Sequence, residues 1–105
     1  MGTAVSHAIE VLPEKFELSQ NFPNPFNAAT KISFALPDPQ QTTLEVFNIS
    51  GQKVGTLIDR YLEAGVYDII WDSRGDDGQT VASGVYLYKL RTESQTISRK
   101  MTLLK

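Results

Sequence analysis

The chain contains no cysteine, so neither a disulfide nor a thiolate metal site can form, and cysteine usage leaves the redox compartment open. Histidine is nearly absent as well. His7 is the single one, and it sits near the start in a stretch that reads as a tail, so it reads as vector-derived or solvated rather than as a base. Ser73, Ser83, Ser94 and Ser98 therefore have no imidazole to activate them. No apolar run approaches the ~18 residues that span a bilayer as a helix. Residues 1–7 lack the basic-then-apolar order of a secretory signal. Charge of one sign is scarce: 10 Lys and Arg against 12 Asp and Glu give a net charge of −2, and hence no electrostatic reason to expect nucleic acid or an anionic membrane. No glycine-rich turn leads into a helical pattern, which removes the usual phosphate cradle. Positioned, coupled groups are what catalysis requires, and they are missing. The expectation is a non-enzymatic protein with no catalytic residue and no cofactor.

What is present reads as β-structure. A length of 105 residues fits one domain with one core. Residues 1–15 read as a linker or vector-derived tail. Pro13 interrupts the one short apolar run there, and Met1-Gly2 reads as a vector-derived start on a domain taken from a longer protein. Residues 16–105 form the domain. Phe16-Glu17-Leu18 alternates and begins a strand. Gln20-Asn21-Phe22-Pro23-Asn24-Pro25-Phe26-Asn27 excludes helix and central strand, because two prolines interrupt any ladder. It reads as a stiff extended loop whose Phe22 and Phe26 plug the end of the core. Lys31 to Leu36 alternates with Ile32, Phe34 and Leu36 on one face, then breaks at Pro37-Asp38-Pro39. Thr42 to Ile49 follows, with Leu44 and Val46 inward and a slip at Phe47–Ile49 that reads as a bulge. Ser50-Gly51-Gln52 turns into a hairpin partner, Lys53 to Ile58.

Beyond Glu63-Ala64-Gly65, Tyr67, Ile69 and Trp71 share the inward face of the next strand. Tyr86, Tyr88 and Leu90 do so in the strand after the polar loop. Ile97, Met101 and Leu103 do so in the last one, where Arg99 is the exception. About seven short strands with turn signals every 8–12 residues and no helical pattern define an all-β sandwich. Phe34, Tyr67, Trp71 and Tyr88 are its core anchors. Their period of two fits inner faces better than a sugar-binding platform, the other use of such aromatics.

The loop Trp71-Asp72-Ser73-Arg74-Gly75-Asp76-Asp77-Gly78 is the one place where carboxylates cluster. Asp72, Asp76 and Asp77 are candidate calcium ligands, but the EF-hand pattern fails. Its third position is Arg74, and its sixth is Asp77 where glycine is required. The alternative is a solvated turn, in which Asp72 accepts from loop N–H groups while Gly75 and Gly78 take positive φ. Arg74-Gly75-Asp76 also spells an adhesion tripeptide, which the turn explains residue by residue.

Four motifs in order resemble a known family. Asn21-Phe22-Pro23-Asn24-Pro25-Phe26-Asn27 with Thr30 to Phe34 is similar to the opening of the type A C-terminal sorting domain of the type IX secretion system. Leu44 to Val54, then Ala64-Gly65-Val66-Tyr67 with Trp71-Asp72 and Ser83-Gly84-Val85-Tyr86, and finally Arg99 to Lys105 continue the likeness over roughly residues 16–105. The resemblance implies an immunoglobulin-like sandwich of about seven antiparallel strands. It implies the address label of a larger secreted protein, with an N-terminal cargo domain. The cargo would cross the periplasm and outer membrane to be secreted or held at the cell surface. The implied partners are the outer-membrane secretion machinery and a surface sortase that cleaves within residues 1–15, releasing the cargo or attaching it to an anionic lipopolysaccharide. The recognition elements it implies are Gly84, Tyr86, Arg99, Lys100 and Lys105. The acidic loop departs from the commonest version of that family. It is closer to the immunoglobulin-like domain of the flagellar hook-capping protein, an assembly module with no sorting role. A spacer or carbohydrate-binding module of a secreted hydrolase is a further alternative on the same fold.

Overall fold

The computed structural model describes residues 12–105. Residues 12–15 lie outside any strand, and the rest of the expected tail, with His7, falls outside the described residues. Seven strands form, all pairings are antiparallel, and no helix occurs among the described residues. They are β1 (Glu17–Leu18), β2 (Thr30–Leu36), β3 (Gln40–Asn48), β4 (Lys53–Leu62), β5 (Gly65–Trp71), β6 (Gly84–Thr92) and β7 (Thr96–Leu103). One sheet has the order β1-β2-β5 and the other β4-β3-β6-β7. This is the all-β sandwich that the alternation predicts, of the immunoglobulin-like kind that the resemblance implies.

Alternation decides the layers because successive side chains point to opposite faces of a strand. Ile32, Phe34 and Leu36 from one sheet meet Leu44, Val46, Tyr86, Tyr88, Leu90, Met101 and Leu103 from the other, and all are buried. Each of these apolar side chains contributes about 1.5–3 kcal/mol when fully removed from water. Three aromatic contacts bridge the layers or brace them. Trp71 of β5 meets Tyr86 of β6 edge-on at 5.7 Å, Phe26 tilts against Trp71 at 5.9 Å, and Phe34 stacks on Tyr67 at 5.3 Å. Of the four expected anchors, Phe34, Tyr67 and Trp71 take part in these contacts and Tyr88 is buried in the same core; Tyr67 is only half-buried because it lies on an edge strand.

Two expectations about the strands are corrected. The irregularity lies on β4, not on β3. Leu44 pairs with Ile58 but Glu45 with Thr56, and Val46 pairs with Gly55 but Phe47 with Lys53. Leu57 and Val54 are thus the extra residues, while β3 keeps an unbroken register with β6. A bulge costs least on an edge strand, where one side of the ladder is already unpaired. The strand also runs on past Ile58 to Leu62, since an edge tolerates the charges of Asp59 and Arg60.

The plug is the second correction. Phe26 is buried as expected, but Phe22 is 75% exposed. Phe22 pairs directly with Lys31, and directly opposed residues point to the same side of a sheet. Lys31 faces solvent, so Phe22 does too.

Candidate functional site

The residues singled out by sequence converge on two places: the acidic loop between β5 and β6, and the last strand with the asparagine–proline segment beside it.

In the loop, each carboxylate is engaged with backbone. Asp72 Oδ1 accepts from the Arg74 N–H at 3.1 Å, and Asp77 Oδ1 accepts from the Gln79 N–H at 2.9 Å. Both are Asx turns of the expected kind. Asp76 does something else. Its Oδ1 accepts from the Thr56 N–H at 2.9 Å, and its own N–H donates to the Val54 carbonyl at 3.1 Å. It occupies the outer edge of β4 between the two bulged residues. Gly75 is a correction. The positive φ falls on Ser73 (φ 70) and Gly78 (φ 82), whereas Gly75 is needed for space. A Cβ there would lie 2.9 Å from the Val54 carbonyl oxygen, and a Cβ on Gly55 would lie 3.3 Å from Asp76 Oδ1. Ser73, itself buried, is held in its turn by a hydrogen bond from its hydroxyl to the Ala28 carbonyl.

No three His, Asp or Glu side chains among the described residues are grouped so as to hold a metal ion. The carboxylates of this loop fasten backbone to backbone. Arg74 of the adhesion tripeptide folds back along the loop, donating from Nη1 to the Gly78 carbonyl at 2.8 Å while its side chain stays exposed.

At the loop's ends the aromatic strands take over. Trp71 Nε1 donates to the Arg74 carbonyl at 2.9 Å, and the Tyr86 hydroxyl donates to the Ala82 carbonyl at 2.6 Å. Gly84, with φ 149, opens β6 in a region that a side chain would resist. Burial pushes the Tyr86 phenol above its ordinary range.

The second place is built on Asn21, which sequence reading passed over. This buried side chain donates to the Thr30 hydroxyl at 3.0 Å and to the Pro23 carbonyl at 3.1 Å. Its backbone N–H donates to the Tyr88 hydroxyl at 2.8 Å, and that hydroxyl donates on to the Ser19 carbonyl at 2.6 Å. The Tyr88 phenol is pushed up, first by burial, with the Asn21 N–H and the Arg99 charge acting in the opposite sense. Asparagine reads as a turn residue in isolation, and only a buried partner such as Tyr88 reveals its second role.

Held this way, residues 20–26 run along the outer edge of β7. Gln20 Nε2 donates to the Lys100 carbonyl at 2.7 Å, and Asn24 Oδ1 accepts from the Thr102 N–H at 3.0 Å. The Phe26 N–H donates to the Thr102 carbonyl at 2.9 Å, and the Leu104 N–H donates to the Phe26 carbonyl at 2.8 Å. Much of the edge that the last strand was expected to offer to a receptor is therefore already paired within the chain. Arg99 points to the inner face, where its Nε donates to the Leu18 carbonyl and ties β7 to β1. Lys100 and Lys105 are exposed and make no ion pair among the described residues. Gly84 and Tyr86 sit directly opposite Leu103 and Met101. Four of the five expected recognition residues thus gather on the β6–β7 ladder, and Lys105 follows its end.

The remaining candidate use of the aromatics, a flat platform for sugars, does not match their placement. Trp71 is 1% exposed, and Tyr86 and Tyr88 are buried.

Comparison with known proteins fits this architecture. No curated protein sequence matches the chain. Among solved structures, dimeric latent PorU from Porphyromonas gingivalis is similar with a TM-score of 0.68 and 17% identity, over 90% of this chain and 10% of that one. PorZ from the same organism, described as an essential bacterial surface component of the type IX secretion system, gives a TM-score of 0.53 and 19% identity over 88% of this chain and 12% of that one. FlgD from P. aeruginosa gives 0.60 and 18% identity over 89% and 74%. The chain thus spans about a tenth of the two P. gingivalis proteins, and the likeness to all three is one of fold. The family model of the FlgD Ig-like domain matches residues 19–96. The chain belongs to the FlgD Ig-like domain family.

Proposed function

We infer that this domain is a non-enzymatic sorting module, the address by which a larger cargo protein is carried through a type IX secretion system to the outside of the cell. The observation that carries the reading is the contact between residues 20–26 and β7. The opening and closing motifs of the sorting-domain resemblance lie eighty residues apart, as Gln20 and Lys100 do, yet they make one continuous surface. That surface presents the exposed side chains of Lys100 and Lys105 beside a rigid, internally hydrogen-bonded segment. The fold of PorZ, itself a surface component of that system, is consistent with such a role. A docking surface of this kind gives specificity through charge placement and shape rather than chemistry. The implied partners are the outer-membrane machinery and a surface sortase, with cargo N-terminal to the sandwich and cleavage before residue 16.

The test is a fusion. A reporter with its own export signal, joined ahead of this domain in a bacterium carrying the machinery, is expected at the cell surface or in the medium. Retention in the periplasm contradicts the reading. A second reading follows from the family itself: an assembly module of the hook-capping kind, for which the match over residues 19–96 speaks. That role predicts self-association or filament contacts and no reporter delivery.

A further inference from the structure

An exposed sheet edge is a template for another strand, and folded proteins blunt their edges by charge, bulge, shortness or cover. Three of the four edges here are treated so. β1 is two residues long. β4 carries two bulges, the charges Lys53, Asp59 and Arg60, and Asp76 bonded onto it. β7 is overlaid by residues 20–26.

β5 is not. Its seven residues pair with β2 from Gly65 to Trp71 without a register shift. The direction of its free groups follows from β2. Lys31 exchanges hydrogen bonds with Phe22, and the Ser33 carbonyl accepts from Ser19, so the odd-numbered residues of β2 turn toward β1. The even ones turn toward β5, where Ile32 faces Ile69 and Phe34 faces Tyr67. Alternation then aims the N–H and C=O of Val66, Asp68 and Ile70 away from the sheet. No hydrogen bond reaches these groups among the described residues. The same residues expose their side chains on the outer face, Val66 by 70% and Ile70 by 64%, on either side of Asp68.

We propose that the free edge of β5 is a docking site for an extended segment of another polypeptide, one with an apolar–x–basic–x–apolar pattern, which adds as an antiparallel strand. Its basic side chain lies opposite Asp68 and its apolar ones opposite Val66 and Ile70, because directly opposed residues share a face. Ser33 Oγ donates to Asp68 Oδ1 at 2.6 Å, which orients that carboxylate and leaves Oδ2 for the incoming cation. A second copy of this chain is a poorer occupant. A two-fold pairing that sets Val66 against Ile70 also sets Asp68 against Asp68, and like charges directly opposed repel.

The probe is a nine-residue alternating valine–threonine peptide with a central lysine, and its twin with a central glutamate. Titration followed by amide resonances is expected to show the lysine peptide binding and slowing hydrogen exchange at the Val66, Asp68 and Ile70 amides. The glutamate peptide binds weaker by roughly threefold to tenfold, the range expected of exchanging an attractive for a repulsive cross-strand pair. Asp68→Lys reverses that order, and Asp68→Pro abolishes binding of both, since it removes an outward N–H and no bond of the native ladder. If Asp68→Pro does not fold, the exchange pattern and the reversal decide. No binding of the lysine peptide at millimolar concentration, equal binding to Asp68→Lys, or protection elsewhere than at β5 overturns the proposal. So does concentration-dependent dimerisation that Asp68→Lys strengthens or removes, because a second copy is then the occupant.

Discussion

Asp76 is hydrogen-bonded through Oδ1 to the backbone N–H of Thr56, twenty residues earlier and on a different sheet edge. That bond gives the acidic loop its purpose. It closes the outer side of β4 where the bulges at Val54 and Leu57 would leave backbone open. Asp76→Ala is expected to lower stability by about 0.5–1.5 kcal/mol, the net worth of an ordinary hydrogen bond. Gly75→Ala is expected to cost more, because its Cβ meets the Val54 carbonyl at 2.9 Å and the two segments must separate. Urea unfolding of both variants checks the order. Equal, negligible effects would mean the loop merely lies near β4.

The same geometry speaks to calcium. Asp72, Asp76 and Asp77 each direct Oδ1 at a different backbone N–H, so they do not converge on one point. Millimolar calcium is expected to leave the melting temperature unchanged. A rise that saturates with calcium would show that the loop rearranges into a cation site.

Tyr88 makes a pH prediction. Burial first of all raises its phenol above the ordinary value near 10. The folded state therefore keeps a proton that the unfolded chain gives up. The stability from the neutral, hydrogen-bonded phenol is complete below the unfolded pKa of about 10 and is lost as pH rises through the higher folded value. Chemical denaturation between pH 7 and 11.5 is expected to show a fall beginning above pH 10, smaller in Tyr88→Phe. At pH 7 that variant is expected to lose about 1–3 kcal/mol, since it leaves the Asn21 N–H buried without a partner and removes the bond to the Ser19 carbonyl.

Glycan binding through the aromatic residues is expected to fail. Trp71 is covered by Phe26 and Tyr86, so its fluorescence should not respond to soluble oligosaccharides. A saturable change would require the core to open and would favour the carbohydrate-binding alternative.

The layers of the sandwich were legible in the chain because alternation is a local property. Ile32, Phe34 and Leu36 announce their common face within five residues, and Tyr86, Tyr88 and Leu90 do the same. What stayed hidden depended on partners distant in sequence. Phe22 and Phe26 look equivalent beside their prolines, and only the pairing of Phe22 with Lys31 sends one outward. The bulges belong to β4 because β3 must keep register with β6 as well, a constraint with no local trace. Asp76 and Gly75 read as turn residues until Thr56 and Val54 are brought against them. The recognition residues came from resemblance alone. The structure gathers Gly84, Tyr86, Arg99 and Lys100 on one ladder but turns Arg99 inward onto Leu18.

A sorting role rests most directly on the two exposed lysines beside the residue 20–26 segment. The decisive measurement is surface delivery of a reporter fused ahead of this domain, compared between the native sequence and a Lys100→Glu, Lys105→Glu double variant. Both side chains are exposed and without ion pairs among the described residues, so the variant should melt within about 0.5 kcal/mol of the native domain. The sorting reading predicts that the native fusion reaches the surface and the folded double variant accumulates in the periplasm. Equal delivery of both, or of neither, contradicts it.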